Sequence, residues 1–274
     1  MNLIWYSEVK WNYLRTRKHH ILSNFSDDDR ILFFQPYSFV NNNFFFPRKE
    51  KNLFYITLPT FRDTNYYFVK KCLEFEIIRR LFFLLIKIYA KIWEIIIFKG
   101  QFTYVCISNI YYLPLIKKCK QPVVWDFNDH PQQFGEIPKW AEKQFDNFLF
   151  NKPKKIISSS VGISKFLKDK YNLSTIIIPN GVDLDLFNIS LRNNNLQKKS
   201  IIGYVGVISP WFFDFELVAK IAFKFQSSEI HLYGPCVNSV KNKLDKLLKL
   251  KNVSYFGEKS YFELPQIINN FKVG

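Results

Sequence analysis

IIIPNGVDLDLF, residues 176–187, runs three isoleucines into a proline, then Asn180–Gly181, Val182–Asp183 and a closing aromatic, Phe187. The apolar run reads as a core strand. Pro179 has no amide to donate to a sheet ladder, so it ends the pairing. Asn-Gly tolerates positive φ and predicts a tight turn. In a hairpin a second strand would follow at once. Here the chain continues as NISLRNNNLQKK (188–199), polar and Asn-rich, which reads as a linker. The stretch therefore closes a domain, with Asp183 either capping the turn or touching a ligand.

Upstream, short β-branched or aromatic runs alternate with amphipathic stretches. Strands are expected at 3–7, 30–36, 53–59, 102–109, 122–128, 155–161 and 175–180. Strands alternating with helices predict a parallel sheet covered on both faces. Downstream the pattern restarts, with SIIGYVGVIS, EIHLYGP and NVSYFGE as strands, each followed by a helical stretch, and Lys272–Gly274 as the entry to a further strand. The fold class is α/β with two domains, at 1–187 and 200–274, joined by a linker over 188–199.

With 48% hydrophobic residues the chain can bury a substantial core, and its formal charge of +16 points to an anionic partner. The lysines are scattered and form no stripe, which argues against nucleic acid. Cys72, Cys106, Cys119 and Cys236 form no CxxC pair. The N-terminal residues lack the layout of a signal peptide. Both features point to a reducing, cytoplasmic compartment. In LFFLLIKIYAKIWEIIIF (81–98), Lys87, Lys91 and Glu94 share one helix face. Charges there oppose a spanning helix. Two readings stay open: a long core helix with one wet edge, or a helix lying in the plane of an anionic membrane surface.

Three segments carry candidate chemistry. GYVGVISPWFFD (203–214) is a strand and loop leading to a helix N-terminus, whose free amides and dipole suit a diphosphate. Gly206 would let the backbone approach a ligand, Trp211 could stack on a sugar or base, and Asp214 is placed to cap the helix. WDFNDH (125–130) sits at the carboxyl end of a strand, where α/β sheets bind ligands. Asp126, Asp129 and His130 there could orient or deprotonate a hydroxyl. In LRTRKHHIL, His19 and His20 are a poor metal pair because helix neighbours diverge. Arg17 or His20 could contact an anionic acceptor instead.

In their order these segments resemble the GT-B glycosyltransferases of the large retaining group (group 1, or family 4-like), of the capsule and teichuronic-acid type. Pro179, Asn180, Gly181, Val182, Asp183 and Phe187 match a "PNGVD…F" segment; Gly203, Tyr204 and Gly206 match "G-Y-x-G". Trp11, Arg17, His20 and Leu22 resemble a "W…R-p-q-h-L" segment, and Asp126, Asp129 and Phe134 a "D-x-x-D…F" segment. The resemblance implies two Rossmann-like domains, the first for an acceptor, the second for a nucleotide-sugar. Asp129, Asp126 and His130 would be catalytic. Gly203, Gly206, Trp211, Asp214, Gly234 and Glu258 would lie on the donor side. Arg17, His20, Asn180, Gly181 and Asp183 would line the acceptor side or the cleft. No metal and no cofactor is implied. Partners would be the nucleotide-sugar donor, a glycan or lipid-linked acceptor and an anionic membrane at its inner face. Members continue into an acidic E-x7-E segment that does not occur here, so the donor domain is expected to be incomplete. That leaves an alternative: a non-catalytic remnant, or half of a split enzyme, complemented by a C-terminal chain.

Overall fold

The computed structural model describes residues 1–38, 43–61, 67–117, 119–130, 137–151, 155–191 and 200–274. Two compact units divide between Gly181 and Val182.

The first unit contains β1 (Asn2–Tyr6), α1 (Arg17–Leu22), β2 (Arg30–Tyr37), β3 (Arg48–Glu50), β4 (Leu53–Phe61), α2 (Tyr67–Glu74), α3 (Glu76–Phe98), β5 (Tyr104–Ile107), α4 (Leu113–Ile116), β6 (Val123–Phe127), α5 (Lys139–Asn151), β7 (Lys155–Ser158), α6 (Val161–Tyr171) and β8 (Ile176–Ile177). Its sheet runs β3-β4-β2-β1-β5-β6-β7-β8. All pairings are parallel except β3–β4. The chain reverses its direction of travel across the sheet between β1 and β5, the switch point where such sheets bind ligands.

Strand alternation divides the core between the faces. Ile4 and Tyr6 of β1 enter one cluster with Leu32, Phe34, Ile107, Trp125 and Phe127. Leu3 and Trp5 enter the other with Ile31, Phe33, Cys106 and Leu22 of α1.

Two expectations need correction. The isoleucine run is not a core strand: β8 is a two-residue edge strand, and Ile176, Ile177 and Ile178 are 54, 44 and 42% exposed. The turn is not built on positive φ either. Neither Asn180 nor Gly181 has φ in the left-handed region, because the chain runs on into a helix and needs no reversal. α3, for which two readings stay open, buries one side only. Only Phe83, Ile86, Ala90 and Phe98 are buried in it.

The second unit contains α7 (Leu184–Leu191), β9 (Ile201–Val205), α8 (Phe215–Lys224), β10 (Glu229–Tyr233), α9 (Lys241–Leu247), β11 (Val253–Tyr255) and α10 (Leu264–Asn269). Its parallel sheet runs β11-β10-β9. Val273 bridges Ile202 in parallel on the far side of β9, so the same Rossmann-like order begins again. α7 begins the second unit. Asp183 accepts from the Leu186 amide at 3.1 Å, and the Phe187 ring meets Tyr261 edge-on at 5.8 Å. Phe187 thus packs in the second unit, ahead of the boundary expected after it. Of the expected linker, 188–191 is the end of α7 and 192–199 lies outside the described residues.

Candidate active site

Four residues drawn from three separate sequence segments meet beyond the carboxyl ends of the first unit's strands. Arg17 opens α1, Asp126 is in β6, and Pro179–Asn180 follows β8. Arg17 Nε donates to both Asp126 oxygens, at 3.1 and 3.3 Å. Its Nη1 donates to the Pro179 carbonyl at 2.9 Å and to Asn180 Oδ1 at 3.4 Å. The side chains of Arg17 and Asp126 are 4% and 1% exposed. Burial pushes the Asp126 carboxyl up, against the downward pull of Arg17. The remaining nitrogen, Arg17 Nη2, is buried and without a hydrogen-bond partner. Buried polar groups are normally paired, so this one calls for an explanation.

A second pair of charges acts on Asp126. Lys18 is buried and forms an ion pair with Glu8, which follows β1. Glu8 also accepts from the Ser108 hydroxyl at 2.5 Å, and Ser108 accepts from Trp5 Nε1 at 3.2 Å. The loop after β1 is pinned through Gln35, which accepts from the Trp11 amide and donates to Thr57, both at 3.0 Å.

His19, not His20, turns into the protein. It stands three residues after the N-cap Thr16, and its Nδ1 accepts from the Thr16 amide at 3.0 Å in a capping box. Its Nε2 lies 2.8 Å from the Trp11 carbonyl. His20 is only half-buried. Burial lowers the His19 pKa below its usual 6.5. The stability secured by a neutral His19 is therefore complete above pH 6.5, and it is lost as the pH falls through the lower folded value. His19→Gln, which keeps the capping box and cannot titrate, is expected to flatten the loss of urea resistance between about pH 7 and 5. Tryptophan fluorescence reads this, since five of the six tryptophans lie in the first unit. His130, also lowered by burial, will retain part of the slope.

Asp129 lies just past β6 and is exposed. It accepts from Asn128 Nδ2 at 2.6 Å. Partial desolvation, and then the nearby Glu8 carboxylate, raise its pKa. His130 packs its ring edge-on against Phe166 at 4.6 Å, in an apolar setting. Phe134 lies outside the described residues. Gly181 is exposed, with open space around its α-carbon.

In the second unit the expected donor residues divide by role. A Cβ at Gly203 would stand 2.1 Å from the Phe271 ring, so this glycine makes room for packing inside the protein. Gly234 has φ +129°, and a Cβ there would stand 2.0 Å from the Gly206 carbonyl oxygen. These two glycines let the ends of β9 and β10 close on each other. Asp214 caps α8, its Oδ1 accepting from the Glu216 and Leu217 amides at 3.0 Å each. Those two amides, expected to be free for a diphosphate, are therefore filled. Asp214→Ala is expected to cost about 1 kcal/mol in denaturant unfolding. Trp211 and Glu258 are exposed beyond β9 and β11. The Ser209 hydroxyl, in the loop after β9, is buried without a partner.

Glu8, Lys18 and Ser108 were missed by the sequence reading. Their only signal was position, just past a strand end or at a helix start. Among the described residues no cluster of His, Cys, Asp and Glu could hold a metal ion.

Two Rossmann-like units of this order define the GT-B fold. Comparison of structures agrees. The chain superposes on Anabaena HepE, crystallised with UDP and glucose, with a TM-score of 0.61 and 12% identity, over 99% of this chain and 72% of that one. It superposes on an Escherichia coli trehalose-6-phosphate protein bound with UDP-2-fluoro glucose with a TM-score of 0.61 and 10% identity, over 97% and 76%. For a UDP-forming α,α-trehalose-phosphate synthase from Burkholderia vietnamiensis the TM-score is 0.60 at 10% identity, over 96% and 75%. No protein-family model matches the sequence, and no curated protein matches it.

Proposed function

We propose that the protein is a glycosyltransferase that moves a sugar from a nucleotide-sugar to a hydroxyl of a glycan or lipid-linked acceptor, in the cytoplasm at an anionic membrane face. The observation that carries this reading is the buried Arg17–Asp126 pair. It is anchored on the Pro179 carbonyl and has one guanidinium nitrogen unspent. A desolvated cation beyond the sheet's switch point suits an anionic or hydroxyl-rich ligand.

The geometry supports the following roles. Arg17 supplies the positive charge that draws an anionic or hydroxyl-rich acceptor to this end of the sheet. Asp126 holds the guanidinium, and the Glu8–Lys18 pair adds to the field at Asp126. Asp129, exposed and with a raised pKa, takes the acceptor proton. On the donor side, the backbone of the loop after β9 takes the diphosphate, and the exposed Trp211 offers a face to the sugar or base. The acceptor oxygen replaces the nucleoside diphosphate at the anomeric carbon, and the diphosphate leaves with the bond's electron pair. Fold analogy with proteins crystallised with UDP or its sugars favours a uridine donor.

The test is a panel of uridine, guanosine and adenosine diphosphate sugars, with release of the nucleoside diphosphate followed by mass spectrometry. Release with one nucleotide series, reduced at least about tenfold in Asp129→Asn, is the expected result. Equal release by Asp129→Asn would remove that residue from the chemistry.

A further inference from the structure

α3 is 23 residues long, about 35 Å at 1.5 Å per residue. Ile77, Leu81, Leu84, Ile88, Ile92 and Ile95 recur along it every three or four residues, so they share one face. Every one of them is 48–83% exposed. The opposite face carries the buried Phe83, Ile86 and Ala90. The helix therefore has two apolar faces, and only one is spent on the core.

Between the two faces runs a polar edge with Arg80, Lys87 and Lys91. Two of these cations are ion-paired along the edge, Arg80 with Glu76 and Lys91 with Glu94 at 2.7 Å. Long basic side chains beside an apolar stripe can lay their stems along it and reach outward to phosphate. An exposed apolar patch of this extent marks an interaction surface. Among the described residues no helix is long and apolar enough to cross a membrane.

We infer that the outer face of α3 is a bilayer-docking surface, lying in the plane of an anionic membrane with its isoleucines and leucines among the acyl chains. This gives the membrane part of the reading above a specific element, and it does not depend on the sugar chemistry. Charge decides between the occupants. The whole chain carries +16, so a second copy would bring like charge together, whereas anionic lipid neutralises it. Burying an apolar face also adds a component that salt does not screen. Pure electrostatic attachment would be lost at ~1 M NaCl, where the screening length is about 3 Å.

The test is flotation of the full chain with phosphatidylcholine vesicles, with and without phosphatidylglycerol. The triple variant L84D/I88D/I92D removes the apolar face; R80Q/K87Q/K91Q removes the basic edge. All six positions are exposed or half-buried, and near-ultraviolet circular dichroism checks that both variants remain folded. Wild type should float with anionic vesicles and keep a measurable bound fraction at high salt. The aspartate variant should lose about a hundredfold or more in partitioning, and the glutamine variant should lose mainly the preference for anionic lipid. Wild-type binding that vanishes in salt, or equal flotation of wild type and the aspartate variant, overturns the inference. So does a wild-type dimer that the aspartate variant makes monomeric, since a second copy would then own the face. Nucleotide release measured without vesicles reports separately on the transfer reading.

Discussion

Gly234→Ala is expected to destabilise the second unit by roughly 3–5 kcal/mol, combining backbone strain with a steric clash. At φ +129° the residue occupies a region that side chains rarely enter, and its Cβ would stand 2.0 Å from the Gly206 carbonyl oxygen. That oxygen is main chain and cannot rotate aside. Relief requires β9 and β10 to part at the point where Gly206 N donates to the Tyr233 carbonyl at 3.0 Å, while on its other side Gly234 N donates to the Gly257 carbonyl past β11 at 2.8 Å. A domain's whole stability is about 5–15 kcal/mol, so this change removes a large share of it. Hydrogen exchange should show β9 and β10 opening together while the first unit stays protected. Gly181→Ala is the control: open space surrounds that site and its φ is ordinary, so its effect should stay within about 0.5 kcal/mol. A mild Gly234→Ala phenotype would mean that the strand ends do not close as described.

Arg17→Ala should cost the first unit about 3–5 kcal/mol, because it strands a buried carboxylate. Asp126 would have lost its ion pair, and Pro179 and Asn180 their anchor. The double variant R17M/D126L replaces both charges with apolar groups of similar reach, and such replacements are often neutral. It should recover most of the urea midpoint while remaining inactive in nucleotide-sugar turnover. That combination separates a functional guanidinium from a structural one. Recovery of both stability and turnover would show that the pair only holds the fold.

Strand positions were legible in the sequence because interior parallel strands are apolar on both faces, as in Ile31–Phe34. The edges were not legible. β3 is a three-residue antiparallel strand of Arg, Lys and Glu with no apolar signal. β8 has a core-like sequence but an edge position. Nothing local distinguishes three buried isoleucines from three exposed ones. α3 stayed open between two readings for the same reason: periodicity identifies an apolar face but not which surface covers it.

At the site, Arg17, Asp126 and Asn180 were each singled out, and the fold joined them across 163 positions. Glu8 and Lys18 were not, since two charged residues ten apart show nothing until a strand and a helix bring them together. His19 and His20 were separable in principle. Thr16 as N-cap puts His19 at the third helical position, which turns its ring back to the cap. Asp183 and Asp214 carried two readings each, and their hydrogen bonds show both capping helices.

The central claim, that the second unit binds the nucleotide part of a sugar donor, is tested most directly by calorimetric titration of UDP into the full chain. Saturable one-to-one binding is expected, with a dissociation constant in about the 1 μM–1 mM range usual for enzyme substrates, together with hydrogen-exchange protection of the loop from Gly206 to Asp214. Absence of binding by UDP and by every other nucleoside diphosphate, or protection confined to the first unit, would contradict it.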